Sequence, residues 1–459
     1  MILNDNTIAN DNGIIIAPAG CGKTETIINI IKKHNSNKKV LVLTHTNAGV
    51  ENVEERLKKK GISLSLCNVY TIASFCLKYV NSFKVCSQIS DDSFNSIYNG
   101  MNKLLDNKHI KKVLTNTYSL MLVDEYQDCS LLQHEIIKKV SKIMNYKLFG
   151  DSLQKIYDFS DKCVDINSIM NKDFPFLGNL DYPWRWENNK ELGNWIMDHR
   201  KKLENNTSSY KFQSFLPTVE YIEFNDYIEL RKIAYKLLNY NGSNVILFNI
   251  ENQAQSFCKT LGGKYYYQEE VECKSLKNII NNIDNFNYSN VIKDFILICQ
   301  NSFTNFKTLY SNILNKIEKN DFDFSRILIN KDEAQLLVSL NNDFKMTNLL
   351  LLMNKIESNP EIKIYRKELW NVLKDIIKEL AINNNKKAIE ILLNIRNSRN
   401  YNKKFKYKNL VSRILLVKGL EFENVLLVNP NELSKELLYV AISRPTKHLI
   451  IAQKNKTDE

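Results

Sequence analysis

The sequence predicts an α/β chain with two parallel sheets and mainly helical insertions. Three observations carry that expectation. The β-branched run Ile14 to Ile16 leads through a glycine-containing turn into a helix with Ile27, Ile28 and Ile31 on one face, the strand–turn–helix order of a parallel α/β unit. A second apolar run, Leu120 to Val123, ends in Asp124 and Glu125, and open parallel sheets place their chemistry at the C-terminal ends of strands. Strand and helix patterns then alternate again from Val219 to Leu261 and from Leu410 to Ala452, which reads as a second sheet.

Composition sets the limits. The chain has 459 residues, 44% apolar and 25% charged, enough for several domains and ample core. It has no apolar run long enough to span a membrane and no basic-then-apolar leader. A cytoplasmic protein with no membrane partner is expected. Nine cysteines occur with no C-x-x-C pair, so neither a disulfide framework nor a zinc site is signalled. The net charge of +12 suits a polyanion such as nucleic acid. An AT-rich coding bias toward Asn, Lys and Ile accounts for it equally well, so charge alone decides nothing.

The first strand is followed by Ala17-Pro18-Ala19-Gly20-Cys21-Gly22-Lys23-Thr24. This fits a phosphate-binding P-loop, with Ala17 where the pattern has its first Gly. Backbone N–H groups of Ala19, Gly20, Cys21 and Gly22 would converge on phosphate oxygens at a helix N-terminus. Lys23 would reach the β- and γ-phosphates, and Thr24 would hold Mg²⁺. Lys39 to Thr44 reads as a second strand, Asn47 to Lys58 as a helix, and Ile72 to Tyr79 as another after an apolar segment ending at Thr71. Residues 81–117 read as a polar, helical insertion. Asp124 would bind Mg²⁺ through water, and Glu125 would polarise an attacking water. Tyr146 to Phe149 reads as a strand ahead of Gly150 and Asp151. Gln154 follows as a candidate γ-phosphate sensor, since an amide donates to phosphate and accepts from water. Tyr157 and Phe159 fit either a base-stacking platform or core packing. Residues 160–180 read as a break, and 265–408 as an Asn/Lys-rich helical segment without a chemical motif.

Taken together these segments resemble the UvrD/Rep-type superfamily 1 helicases. A-P-A-G-C-G-K-T, T-H-T-N-A-G (Thr44 to Gly49), T-I-A-S-F (Thr71 to Phe75), D-E-Y-Q-D, the G-D-x-x-Q-x-I-Y-x-F segment, P-W-R-W, V-K-G-L-E-F and Y-V-A-I-S-R-P (Tyr439 to Pro445) follow the family's motif order. The resemblance implies two RecA-like P-loop NTPase domains. Residues 1–80 and 118–178 would form the first, with 81–117 inserted, and 179–264 and 409–459 the second, with 265–408 as a helical accessory insertion. It implies ATP and Mg²⁺ as cofactors and 3′→5′ movement on single-stranded DNA. It makes Lys23, Glu125, Gln154, Arg185 and Arg444 catalytic, the two arginines reaching the γ-phosphate from the second domain. Trp184 takes the place of an aromatic that stacks on adenine, and Glu421 that of a ribose contact. His45, Thr71, Tyr157 and Phe159 take DNA-contacting places. Departures are plain. Residues 1–17 hold no Gln to read adenine, so loose base selectivity is expected. His45 replaces a usual Phe, and the first insertion is short. The resemblance implies an ATP-dependent DNA helicase or translocase acting on single strands and DNA junctions. A regulatory DNA-dependent ATPase subunit, working with a nuclease or other protein partner as in Gabija-type anti-phage defence, is the alternative.

Overall fold

The computed structural model describes residues 10–83, 94–156, 163–205, 216–268, 274–383, 386–400 and 407–455. Two compact units result: Met1–Thr218 with Glu432–Lys447, and Val219–Asn431 with His448–Glu459.

The first unit holds a six-stranded parallel sheet. Its strands are β1 (Gly13–Ile16), β2 (Lys39–Thr44), β3 (Cys67–Thr71), β4 (Tyr118–Val123), β5 (Asn145–Gly150) and β6 (Phe176–Asn179). Their spatial order is β3-β2-β4-β5-β1-β6. Both faces are covered, as a parallel sheet requires, and the period-2 alternation of the strands separates two cores. Ile14, Leu41, Leu43, Met121, Val123 and Leu148 point into one. Ile15, Val40, Val42, Leu120, Leu122 and Phe149 point into the other. Each such fully buried aliphatic side chain contributes roughly 1.5–3 kcal/mol. The second core is closed by the helices Lys23–Lys33 and Asn47–Lys59, through Ile27, Ile28, Ile31, Val53 and Leu57.

The segment expected as a polar insertion is part of the first core. Helices Phe94–Leu104 and Lys108–Thr117 bury Ile97, Met101, Leu104, Ile110 and Leu114 there. β6 lies in the stretch expected as a break. Gly178 has φ 146°, and the pairing with β1 shifts register between Ile14 and Ile15. A short, irregular edge strand beside Pro175 carries no alternation to read.

The second unit holds β7 (Val219–Phe224), β8 (Asn244–Phe248), β9 (Tyr266–Tyr267), β10 (Asn409–Arg413), β11 (Phe422–Val428) and β12 (Pro445–Lys454). Their order is β7-β12-β11-β8-β10-β9. β8 pairs in parallel with β10 and β11, β9 with β10, and β7 with β12. Its central runs, Val245 to Leu247 and Val425 to Leu427, are fully buried. β9 falls inside the segment expected to be helical throughout. From Lys274 onward that segment is a helical body with its own core, including Ile279, Phe295, Leu337, Leu352, Trp370 and Leu373. Tyr365 belongs instead to the core of the second sheet, and its carbonyl accepts from Tyr267 N–H at 2.8 Å. The architecture is α/β with two RecA-like parallel sheets. Residues 179–205, 216–218 and Glu432–Lys447, expected with the second sheet, pack in the first unit.

Candidate functional site

The site lies at the C-terminal ends of β1, β4 and β5 in the first unit. Beyond β1 the chain turns at Gly20 (φ 73°) and Gly22 (φ 83°), and Gly22 caps the helix Lys23–Lys33. Only glycine adopts that left-handed backbone without steric cost. A Cβ on Gly22 would also lie 2.9 Å from the Trp184 ring. Gly22→Ala is therefore expected to cost at least the 1–2 kcal/mol or so of a left-handed residue with a Cβ. The check is a lower melting temperature together with weaker nucleotide binding. An unchanged melt and unchanged binding would contradict the loop's role.

Lys23, the first residue of the helix, faces the end of β4. Its ammonium lies 3.0 Å from Asp124 Oδ1 and pairs still more closely with Glu125 Oε1. Burial disfavours the Lys23 ammonium, yet the two carboxylates outweigh it and raise its pKa. Burial pushes the Asp124 carboxyl up, against the pull of Lys23. Glu125 sits at φ 55°, ψ 42°, a left-handed conformation rare for a residue with a Cβ. Such strain clusters at functional sites. Here it turns the carboxylate toward Lys23 while Glu125 N–H donates to Asp124 Oδ1 at 3.0 Å.

From Glu125 a polar chain runs to β5. Gln127 Nε2 donates to Glu125 Oε2, and Gln127 Oε1 accepts from Asp151 N–H at 3.0 Å. Asp151, fully buried, accepts from Gln154 Nε2 (2.8 Å), Leu153 N–H (3.2 Å) and Arg200 Nη1 (2.8 Å). Gln154 is thus held at the end of β5. Cys21 is buried in the loop, and burial pushes its thiol up to about 12, so it is no nucleophile at neutral pH.

The segment Trp184–Trp186 lies against the loop. Arg185 N–H donates to Gly20 O at 3.1 Å, and Arg185 Nη1 donates to Ser443 O at 2.7 Å. Trp186 is buried and donates through Nε1 to Pro445 O. Trp184 stays 57% exposed beside the Gly22 turn, an apolar face open at the loop. Arg444 is buried. Its hydrogen bonds include Nε to Val440 O and Nη2 to Ser443 Oγ, each 2.8 Å. Both arginines expected from the other domain therefore belong to the same compact unit as the loop.

Other expected residues stand apart. Glu421 is exposed in the second unit. His45, just past β2, is half-buried with Nε2 3.4 Å from Cys129 Sγ. The Thr71 hydroxyl caps the helix Ile72–Ser82, accepting from Ser74 N–H at 3.0 Å. Tyr157 and Phe159 lie outside the described residues. Sequence reasoning assigned no role to Gln127, Arg200 or the Tyr439 hydroxyl, which accepts from Ala19 N–H at 3.0 Å. Gln127 and Tyr439 sit inside quoted motifs. Arg200 lies in the basic run Arg200-Lys201-Lys202, and its helical phase with Leu192 and Ile196 marks it as inward-facing.

The donor set fits a magnesium nucleotide. Thr24 and Asp124 supply one hydroxyl and one carboxylate, and magnesium usually takes few protein ligands besides phosphate and water. No cluster of three or more His, Cys, Asp or Glu is placed to hold a metal among the described residues. None of the described helices is long and apolar enough to cross a membrane, and none of the described cysteines is in a disulfide.

Residues 2–160 match the AAA domain family. The chain is 25% identical over 310 residues to ATP-dependent DNA helicase Rep of Buchnera aphidicola subsp. Schizaphis graminum, covering 61% of this chain and 45% of that protein. It is 26% identical over 322 residues to the RecBCD enzyme subunit RecB of Borreliella burgdorferi, covering 60% and 26%. It is 26% identical over 206 residues to one subunit of the ATP-dependent helicase/nuclease of Staphylococcus haemolyticus, covering 38% and 16%. The chain spans less than half the length of each of these relatives. On these matches and its two RecA-like parallel sheets, the chain is similar to the UvrD/Rep-type superfamily 1 helicases.

Proposed function

We propose that the chain is an ATP-dependent DNA translocase that couples ATP hydrolysis to 3′→5′ movement on single-stranded DNA. The observation that carries this reading is the Lys23–Asp124–Glu125 cluster at the strand ends beside a left-handed glycine turn, in a chain akin to proteins named as ATP-dependent DNA helicases. Lys23 and the loop amides bind the phosphates. Thr24 and Asp124 hold magnesium, which neutralises phosphate charge when bound. Glu125 orients a water and takes its proton as the water oxygen bonds to the γ-phosphorus. The bond from that phosphorus to the bridging oxygen breaks, giving ADP and phosphate. Arg185 and Arg444 carry permanent charge suited to phosphate oxygens, and Gln154 senses the γ-phosphate. Trp184 offers its open face to the base. His45, Thr71, Tyr157 and Phe159 are the proposed DNA contacts, in a cytoplasmic protein that acts on single strands and junctions.

A second reading is a regulatory ATPase subunit that works with a nuclease or another protein. It draws on two relatives named as subunits, one of a helicase/nuclease. The two readings separate on duplexes of several tens of base pairs carrying a single-stranded tail at one end. Unwinding by the purified chain from a 3′ tail and not from a 5′ tail supports the autonomous motor. DNA-stimulated ATP turnover without unwinding supports the subunit.

A further inference from the structure

We infer, on the ATPase reading above, that Arg200 is a positioning residue that ties the Gln154 arm of the site to the phosphate loop. Arg200 lies on the helix Lys190–Glu204 and is only 5% exposed, while its neighbours Lys201 and Lys202 are in solvent. A guanidinium is expensive to bury and is tolerated only where its donors are matched. Here the fork divides. Nη1 donates to Asp151 Oδ1 at 2.8 Å and Nη2 to Glu204 Oε1 at 2.7 Å. The Cζ atom lies 5.1 Å from the centroid of the Tyr439 ring, within cation–π range.

Glu204 is half in solvent and adds little. The two buried neighbours both lead into the site. Asp151 holds the Gln154 amide at 2.8 Å, and through its own N–H it meets Gln127, which in turn meets Glu125. Tyr439 is fully buried, and its hydroxyl takes the Ala19 N–H of the loop. Burial opposes the charge on Arg200, but Asp151 and Tyr439 outweigh it. With Arg200 gone, Asp151 would be a buried anion facing only neutral donors. Its hold on Gln154 would loosen, since a buried charge without a matched partner is costly, while the Tyr439 ring would lose the cation that fixes it. Arg200 acts on the site through these two side chains.

The test uses the full chain and measures kcat and KM for ATP in wild type, Arg200→Gln, Gln154→Ala and the double variant, with melting curves for each. Loss of one charge-assisted hydrogen bond predicts a fall in kcat of about 10- to 100-fold in Arg200→Gln, with KM changed far less. In the Gln154→Ala background the same substitution should remove little more, because residues that act as one unit are not additive. Losses that multiply, or an unchanged kcat, would overturn the assignment. If Arg200→Gln does not fold, Arg200→Lys keeps a charge opposite Asp151 but cannot divide a fork between partners. It should lower kcat less than Gln154→Ala does and remove little more in the Gln154→Ala background, and losses that multiply overturn the assignment. An inactive wild type would instead strike the ATPase reading itself.

Discussion

Glu125→Gln is expected to bind Mg-ATP about as well as the wild type and to hydrolyse it at a rate lower by roughly 10²–10⁴-fold, the usual worth of a general base. The amide keeps the size and the hydrogen-bonding reach of the carboxylate but cannot take a proton from water. Lys23→Ala should also abolish turnover, by a different route. It removes the cation that meets the phosphates, so the defect appears in nucleotide binding. It also leaves Asp124 and Glu125, which both pair with Lys23, as neighbouring anions without their common partner. A fluorescent ATP analogue titrated into each variant, beside steady-state turnover, separates the two. Retained hydrolysis in Glu125→Gln at saturating ATP would remove Glu125 from its role.

Arg444→Lys should lose turnover, toward the order of 10³–10⁵ that arginine fingers supply in phosphoryl transfer, if the forked guanidinium and not charge alone meets the transition state, with nucleotide affinity little changed. The geometry gives the reason to choose lysine. Arg444 is buried and bonded to Val440 O and Ser443 Oγ, so alanine would leave carbonyl and hydroxyl groups unpaired and confuse stability with chemistry. Lysine keeps the charge and loses the fork. A melting curve close to wild type with a collapsed kcat is the expected result. Near-normal turnover would show that Arg444 serves only to tie the turn after the helix Lys435–Ile442.

Most of the first sheet was legible because its strands are short apolar runs at sharp boundaries. Ile14 to Ile16, Lys39 to Thr44 and Leu120 to Val123 each fall within an observed strand. β6 was hidden by Gly178 and by its short length. The helices at 94–117 were read with the right type, but their burial was not. Ile97 and Met101 stand at helical spacing, but spacing cannot say whether that face covers the main sheet or a separate insertion. Among candidate site residues, Lys23, Asp124 and Glu125 come together, because β1 and β4, with only β5 between them, end on the same edge of the parallel sheet. Arg200 could not be found that way. Its meaning depends on a partner, Asp151, far away in sequence, and no local pattern carries a long-range pair. Thr71 shows the converse, since a motif position turns out to be held by helix capping.

The central claim is that this chain hydrolyses ATP and that single-stranded DNA drives it. The most direct measurement is steady-state phosphate release by the purified chain with Mg-ATP, with and without a single-stranded oligonucleotide, at low and moderate salt. The account predicts slow basal turnover, strong stimulation by the single strand, and stimulation that weakens as salt rises, because phosphate contacts release counterions. Turnover that is absent under all these conditions, or that is indifferent to DNA at every salt concentration, would contradict it.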